Sequence, residues 1–230
     1  MADSQSKDEF DWPPLESNPE VFTEYLQKIG LSKEYSIGEV FGFDEELLAF
    51  LPQPIHGIIV TLERLNRESD VAKGLAVDVS KVDYYMDQTG SLDNACGIIA
   101  CLHAIFNNSD SMLVADSVLE NFLVSTKSQT PAERCKSLEK NNDFKNIHKG
   151  FAMKGQSAAI TTDQSKVQHH FVAYVVKNGQ LIELDGTKKG PYVIGECSDV
   201  LRGSIKEIQR RLEQGEISDK LSMMTLNSAA

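Results

Sequence analysis

The chain is 230 residues long, 41% hydrophobic and 25% charged, with a formal net charge of −11. That is enough apolar sequence for one sizeable core, no run approaches the ~18 apolar residues of a membrane span, and the acidic balance argues against nucleic acid and fits either a basic protein surface or tail as partner or plain solubility. Four cysteines at irregular spacing, with no CxxC or HExxH pair, read as free thiols rather than disulfides or metal ligands.

In chain order, the opening MADSQSKDEF is acidic and polar, unlike a signal peptide, so a frayed terminus over 1–10 and a cytosolic or nuclear protein are expected. In WPPLESNPEVFTEYLQKIG, Asn18 is placed to cap a helix with Pro19 at its first position. Val21, Phe22, Tyr25, Leu26 and Ile29 form one apolar stripe before Gly30 stops it. Positions 36–43 read as a short strand, 44–50 as a capped short helix, and 55–62 as a buried strand. The charged ERLNRESD then begins a loop to about position 73.

The stretch DQTGSLDNACGIIACLHAIFNN follows, a polar turn running into a long, uniformly apolar helix. Asn94 is the expected N-cap, which puts Cys96 in the first turn. There the unpaired backbone N–H groups and the positive end of the helix dipole favour negative charge on sulfur, and the Cys96 N–H is available to a developing oxyanion. These features make Cys96 a candidate nucleophile. The competing reading, a small hydrophobe in a core helix, is the one that Cys101, Cys135 and Cys197 keep.

Helices are expected over 117–126 and 130–140, the second opened by the capping box TPAE. From 149 to 166 neither period 2 nor period 3.6 holds, which marks a lid or a long loop. HHFVAYVVKNGQLIELDG is a hairpin around Asn178 and Gly179. With those two as the loop, Lys177 pairs with Gln180 and Val172 falls opposite Asp185. His170 is then the diagonal neighbour of Asp185, roughly 7 to 8 Å away by backbone and within side-chain reach, while His169 points to the other face. His103 lies on the face of Cys96 but about 10 Å along the helix, too far for a thiol hydrogen bond. A strand over 191–194, a helix capped by Ser198 with Leu201, Ile205, Ile208 and Leu212 on one face, and a strand over 221–226 complete the chain. No repeat or linker divides it, so residues 1–230 are read as one domain.

Cysteine at a helix mouth, histidine on a strand and carboxylate on its paired strand stand in the order nucleophile, base, orienter. With PLESNPEVF, FGFDEELLAFLPQP, YYMDQT, NACGIIACLHAIFNN, PAER, HHFVAY, ELDGTK and the terminal SAA, the sequence resembles the ubiquitin carboxyl-terminal hydrolases, in particular their short single-domain members. The resemblance implies Cys96 as nucleophile, His170 as general base and acid, Asp185 as orienting carboxylate and Gln88 as side-chain oxyanion donor. It implies an α/β (α+β) fold, an antiparallel central sheet flanked by helices on both sides, papain-like, with a knotted backbone. It also implies that 149–166 is a crossover loop above the cleft and that Leu15, Glu16 and Glu20 contact ubiquitin.

The family pattern has the glutamine six residues before the cysteine, whereas here Gln88 and Cys96 are eight apart. Gly90 and Ser91 are expected to take up the excess as a bulged turn. The function expected is a monomeric, cytosolic, cofactor-free and metal-free thiol hydrolase that frees small or flexible adducts from the C-terminus of ubiquitin or a ubiquitin-like protein, with no nucleic acid or membrane partner. Two rivals stay open: a ubiquitin-binding protein with little catalysis, and a hydrolase or transferase for an unrelated acyl group on a papain-like scaffold.

Overall fold

The structure, a computed structural model, describes residues 10, 12–63, 75–76, 78–152 and 169–229. The expectations for positions 1–9, for the loop after position 63 as far as 73, and for the 149–166 stretch beyond position 152 lie outside the described residues. The helices are α1 (Pro19–Ile29), α2 (Glu45–Leu48), α3 (Cys96–Phe106), α4 (Val118–Thr126), α5 (Pro131–Lys140), α6 (Asn142–Ala152) and α7 (Val200–Glu213). The strands are β1 (Tyr35–Glu39), β2 (Ile55–Glu63), β3 (Leu75–Ala76), β4 (His169–Lys177), β5 (Gln180–Leu184), β6 (Tyr192–Glu196) and β7 (Ser222–Ser228). They form one sheet in the order β1-β7-β2-β4-β5-β6-β3, every neighbouring pair antiparallel.

The central strands β2 and β4 read as nearly continuous apolar runs because both of their faces are covered. Ile59, Phe171, Ala173 and Val175 pack on the side of α1, α3, α4, α5 and α6, while Ile58, Val60, Val172 and Tyr174 pack on the side of α2 and α7. All eleven residues of α3 are buried, so this helix is apolar all round rather than amphipathic. Truncating one of its isoleucines to alanine is expected to cost about 2–5 kcal/mol. On the α7 side the layer contains a buried ion pair, Arg211 to Glu183 at 3.0 Å, with Tyr174 donating to the same carboxylate at 2.5 Å. Removing one partner of such a pair typically costs about 3–5 kcal/mol.

Three local expectations are corrected. α6 carries the chain in helix through 149–152, where a patternless loop was expected. Its Phe144, Ile147, His148 and Phe151 keep helical spacing despite the Asn, Asp and Lys residues between them, with His148 and Phe151 against Tyr25 of α1 and Phe144 against Phe122 of α4. Asp199, not Ser198, caps α7, accepting the Arg202 N–H at 3.1 Å, because the Cys197 N–H is still bonded to Gly179 O across the hairpin loop and delays the first turn. Asp44 precedes α2 without a side-chain capping bond.

Candidate active site

Cys96 is the first residue of α3, as the sequence implied, but the residue at the cap position is Ala95 and not Asn94. The cause is a turn of 3-10 helix at Gly90–Leu92 in front of it. The Ala95 N–H donates to Leu92 O at 2.9 Å, so the chain is already turning when it reaches Asn94, and the helix starts without a side-chain capping bond. Gly90 holds a φ of +65°, a left-handed conformation that glycine adopts at little cost. This turn lies within the eight-residue span from Gln88 to Cys96 and includes Gly90 and Ser91. Ser91 fastens it to α5 by donating to Glu139 at 2.5 Å.

At the other edge of the site the hairpin has the register derived from Asn178 and Gly179, with Lys177 opposite Gln180 and Ala173 opposite Leu184. One step outward lies Asp185, and His170 Nε2 stands 2.7 Å from its Oδ1. The same carboxylate oxygen accepts from the Thr187 N–H at 3.0 Å and the Thr187 hydroxyl at 2.8 Å, so an Asx turn within its own loop fixes it before the histidine arrives. Asp185 is 1% exposed and His170 14%. With Nε2–H directed at a carboxylate, the lone pair of the neutral imidazole is at Nδ1. α3 packs on the start of β4: a Cβ on Gly97 would stand 3.6 Å from the Phe171 ring, which puts the helix turn that begins at Cys96 against the strand end that carries His170.

Gln88 is buried, and its side-chain N–H donates to Asp93 O at 2.9 Å, just ahead of Cys96. Its backbone N–H donates to Gly186 O at 2.8 Å, immediately after Asp185. A Cβ on Gly186 would sit 2.9 Å from Gln88 Cβ, which is why glycine follows the aspartate. Gln88 therefore bridges the turn before Cys96 and the turn after Asp185. α5 runs beside this segment: Pro131 O accepts the Asp87 N–H at 3.2 Å, and Arg134 donates to Tyr85 O at 2.8 Å. His103 is wholly buried and accepts the Met86 N–H at 3.1 Å; burial holds its imidazole neutral, with a pKa lowered to about 4, so it serves the scaffold.

A cavity of about 480 Å³ opens in front of Cys96, walled by Pro14, Leu15, Ser17, Thr61, Asn94, His169, Phe171, Lys220, Leu221 and Ser222. Of the three residues expected to contact ubiquitin, Leu15 lines this cleft. Glu16 is partly buried, its Oε2 unpartnered among the described residues, and Glu20 is exposed in the first turn of α1. His169 faces the cleft rather than Asp185, so alternation along β4 gives the two histidines separate surroundings. Thr187 escaped the sequence reading, although a hydroxyl two residues after an aspartate in a turn is a recognisable Asx signal. The other three thiols stand apart: Cys101 is wholly buried with its thiol pushed up by burial, Cys135 lies against Thr89, and Cys197 faces Asp199.

Compared with known proteins, residues 12–213 match the family described as ubiquitin carboxyl-terminal hydrolase, family 1. A ubiquitin carboxyl-terminal hydrolase of Drosophila melanogaster is 37% identical over 195 residues, covering 82% of this chain and 84% of the relative. Ubiquitin carboxyl-terminal hydrolase 3 of Arabidopsis thaliana is 32% identical over 236 residues, covering 97% of each. Among solved structures, the catalytic domain of Trichinella spiralis UCH37 bound to ubiquitin vinyl methyl ester superposes with a TM-score of 0.76 at 25% identity, covering 95% of this chain and 96% of that one.

Proposed function

The chain belongs to family 1 of the ubiquitin carboxyl-terminal hydrolases, which are thiol-dependent cysteine peptidases, and from that premise we propose that it cleaves adducts from the C-terminal glycine of ubiquitin through a thioester on Cys96. The observation that carries the proposal is the His170–Asp185 hydrogen bond of 2.7 Å, on a strand whose next residue, Phe171, lines the same cleft as Cys96.

Cys96 Sγ gives its proton to His170 Nδ1 and bonds to the glycine carbonyl carbon, moving the carbonyl π electrons onto oxygen. The oxyanion lies between the Cys96 N–H and the second N–H of the Gln88 amide, whose first is spent on Asp93 O. Collapse breaks the bond to the leaving amine, which takes the proton from His170. Water then attacks the thioester with His170 as base, releasing the ubiquitin carboxylate and restoring the thiol. Asp185 holds the imidazolium in place throughout without changing its own protonation.

The substrate range is proposed as small or flexible leaving groups, in keeping with the resemblance to the family's short single-domain members. Leu15, on the cleft wall, is proposed to contact the incoming ubiquitin chain, with Glu16 and Glu20 further along the same segment. Steady-state hydrolysis of ubiquitin carrying a fluorogenic C-terminal amide tests the proposal. Turnover that disappears in Cys96→Ser supports it; turnover surviving in Cys96→Ser, or ubiquitin binding with no turnover in the wild type, overturns it. A ubiquitin fused to a short peptide should be cleaved far faster than one fused to a folded domain, and equal rates would remove the size limit.

A further inference from the structure

The carboxylate that orients His170 sits in a turn, residues 185–188, closed by the Lys188 N–H donating to Asp185 O at 3.0 Å. We propose that Tyr85 is a positioning residue for the reaction, its hydroxyl clamping this turn so that Asp185 meets His170 in the orientation that turnover requires. The inference rests on the reading of the site given above.

Tyr85 Oη is 2.7 Å from Asp185 O and 2.8 Å from Lys188 O, so one buried O–H is shared between the carbonyls of the first and fourth residues of the turn. The ring is fixed independently, stacked on His103 with centroids 5.1 Å apart and planes within 5°. Burial, then the charges of Asp185 and Asp87 and the neighbouring Tyr192, hold the phenol protonated, so the hydroxyl stays a donor. Three residues on, Gln88 grips the same turn through Gly186 O. A single stretch, 85–88, thus holds both the orienting carboxylate and the oxyanion donor. Without the Tyr85 hydroxyl the turn keeps its internal bonds and the Gln88 N–H on Gly186 O but loses the donor that ties its two ends, and a carboxylate displaced by a fraction of an ångström orients imidazole less well.

Tyr84 supplies the control. It is equally buried, but its hydroxyl meets Thr126 Oγ1 at 3.2 Å in α4, away from the site. The test measures kcat, KM and the pH profile of kcat for wild type, Tyr85→Phe, Tyr84→Phe and Cys96→Ser on the fluorogenic ubiquitin amide. In Tyr85→Phe, kcat is expected to fall about three- to tenfold with KM within about twofold, the loss of one neutral hydrogen bond expressed in the transition state. The alkaline limb of kcat is expected to move to lower pH, because a loosened Asp185 stabilises the His170 imidazolium less. Tyr84→Phe is expected to keep the wild-type kcat and pH profile. The limb position does not depend on how much enzyme is folded, so it stays readable in a destabilised variant.

A Tyr85→Phe enzyme with wild-type kcat and limb overturns the inference, as does an equal loss in both tyrosine variants with the limb unmoved. Should Cys96→Ser still turn over, the reading of the site itself fails. A dead Cys96→Ser beside a silent Tyr85→Phe removes only the role given to Tyr85.

Discussion

His170 and Asp185 are not opposite each other in the β4–β5 hairpin; they are diagonal neighbours, and the 2.7 Å bond between them spans the end of the ladder where β5 has already turned away. Of the adjacent histidines, His169 lies instead on the cleft wall with Cys96. The two should therefore fail differently. His170→Ala is expected to lower kcat by about 10² to 10⁴, the usual contribution of a general base. His169→Ala should leave kcat within a few-fold and act chiefly on KM. Steady-state kinetics of the two variants check this, and a collapse of kcat in His169→Ala alone would reverse the assignment.

Gln88 is tied to Asp93 on one side and Gly186 on the other, with the 3-10 turn at Gly90–Leu92 between it and Cys96. Gln88→Ala is expected to lower kcat by about 10² to 10³ with ubiquitin affinity nearly unchanged, the cost of one oxyanion donor. Deleting Gly90 and Ser91 removes the left-handed residue and the bond to Glu139, so activity should drop. Single-turnover rates on both variants decide the point: a silent Gln88→Ala together with a faster deletion variant contradicts the role given to Gln88.

Two histidines should make the fold acid-sensitive. His103 and His148 are both wholly enclosed, and burial lowers each pKa to about 4 from an ordinary 6.5. Between those values the unfolded chain binds more protons than the folded one, so stability is full above pH 6.5 and lost as the pH falls toward 4. At pH 5.5 the loss is on the order of 1 kcal/mol per histidine, about 2–3 kcal/mol together. Urea denaturation at pH 7.5 and pH 5.5 measures it. Equal stability at the two values would falsify this account of the buried histidines.

Much of the site was legible because it depends on short-range rules. The Asn178–Gly179 loop set the hairpin register, the register selected His170 over His169, and the run of apolar residues after Cys96 marked a helix with sulfur at its start. The errors lie where local signals compete. Asn94 is a good capping residue, yet the turn at Gly90–Leu92 begins the winding early and leaves that position to Ala95. α6 contains residues of modest helix propensity, and packing against α1 and α4 makes its apolar spacing decisive. The clamp from Tyr85 to the 185–188 turn joins positions a hundred residues apart, and no periodicity encodes such a bond.

The central claim is that Cys96, alone among four thiols, is the nucleophile toward the ubiquitin C-terminus. Incubation with ubiquitin vinyl methyl ester, followed by proteolysis and mass spectrometry, tests it most directly. The account predicts one ubiquitin per chain, linked through the peptide containing Cys96, absent in Cys96→Ser and slowed in His170→Ala. Linkage through Cys101, Cys135 or Cys197, or no adduct from folded protein that binds ubiquitin, would contradict it.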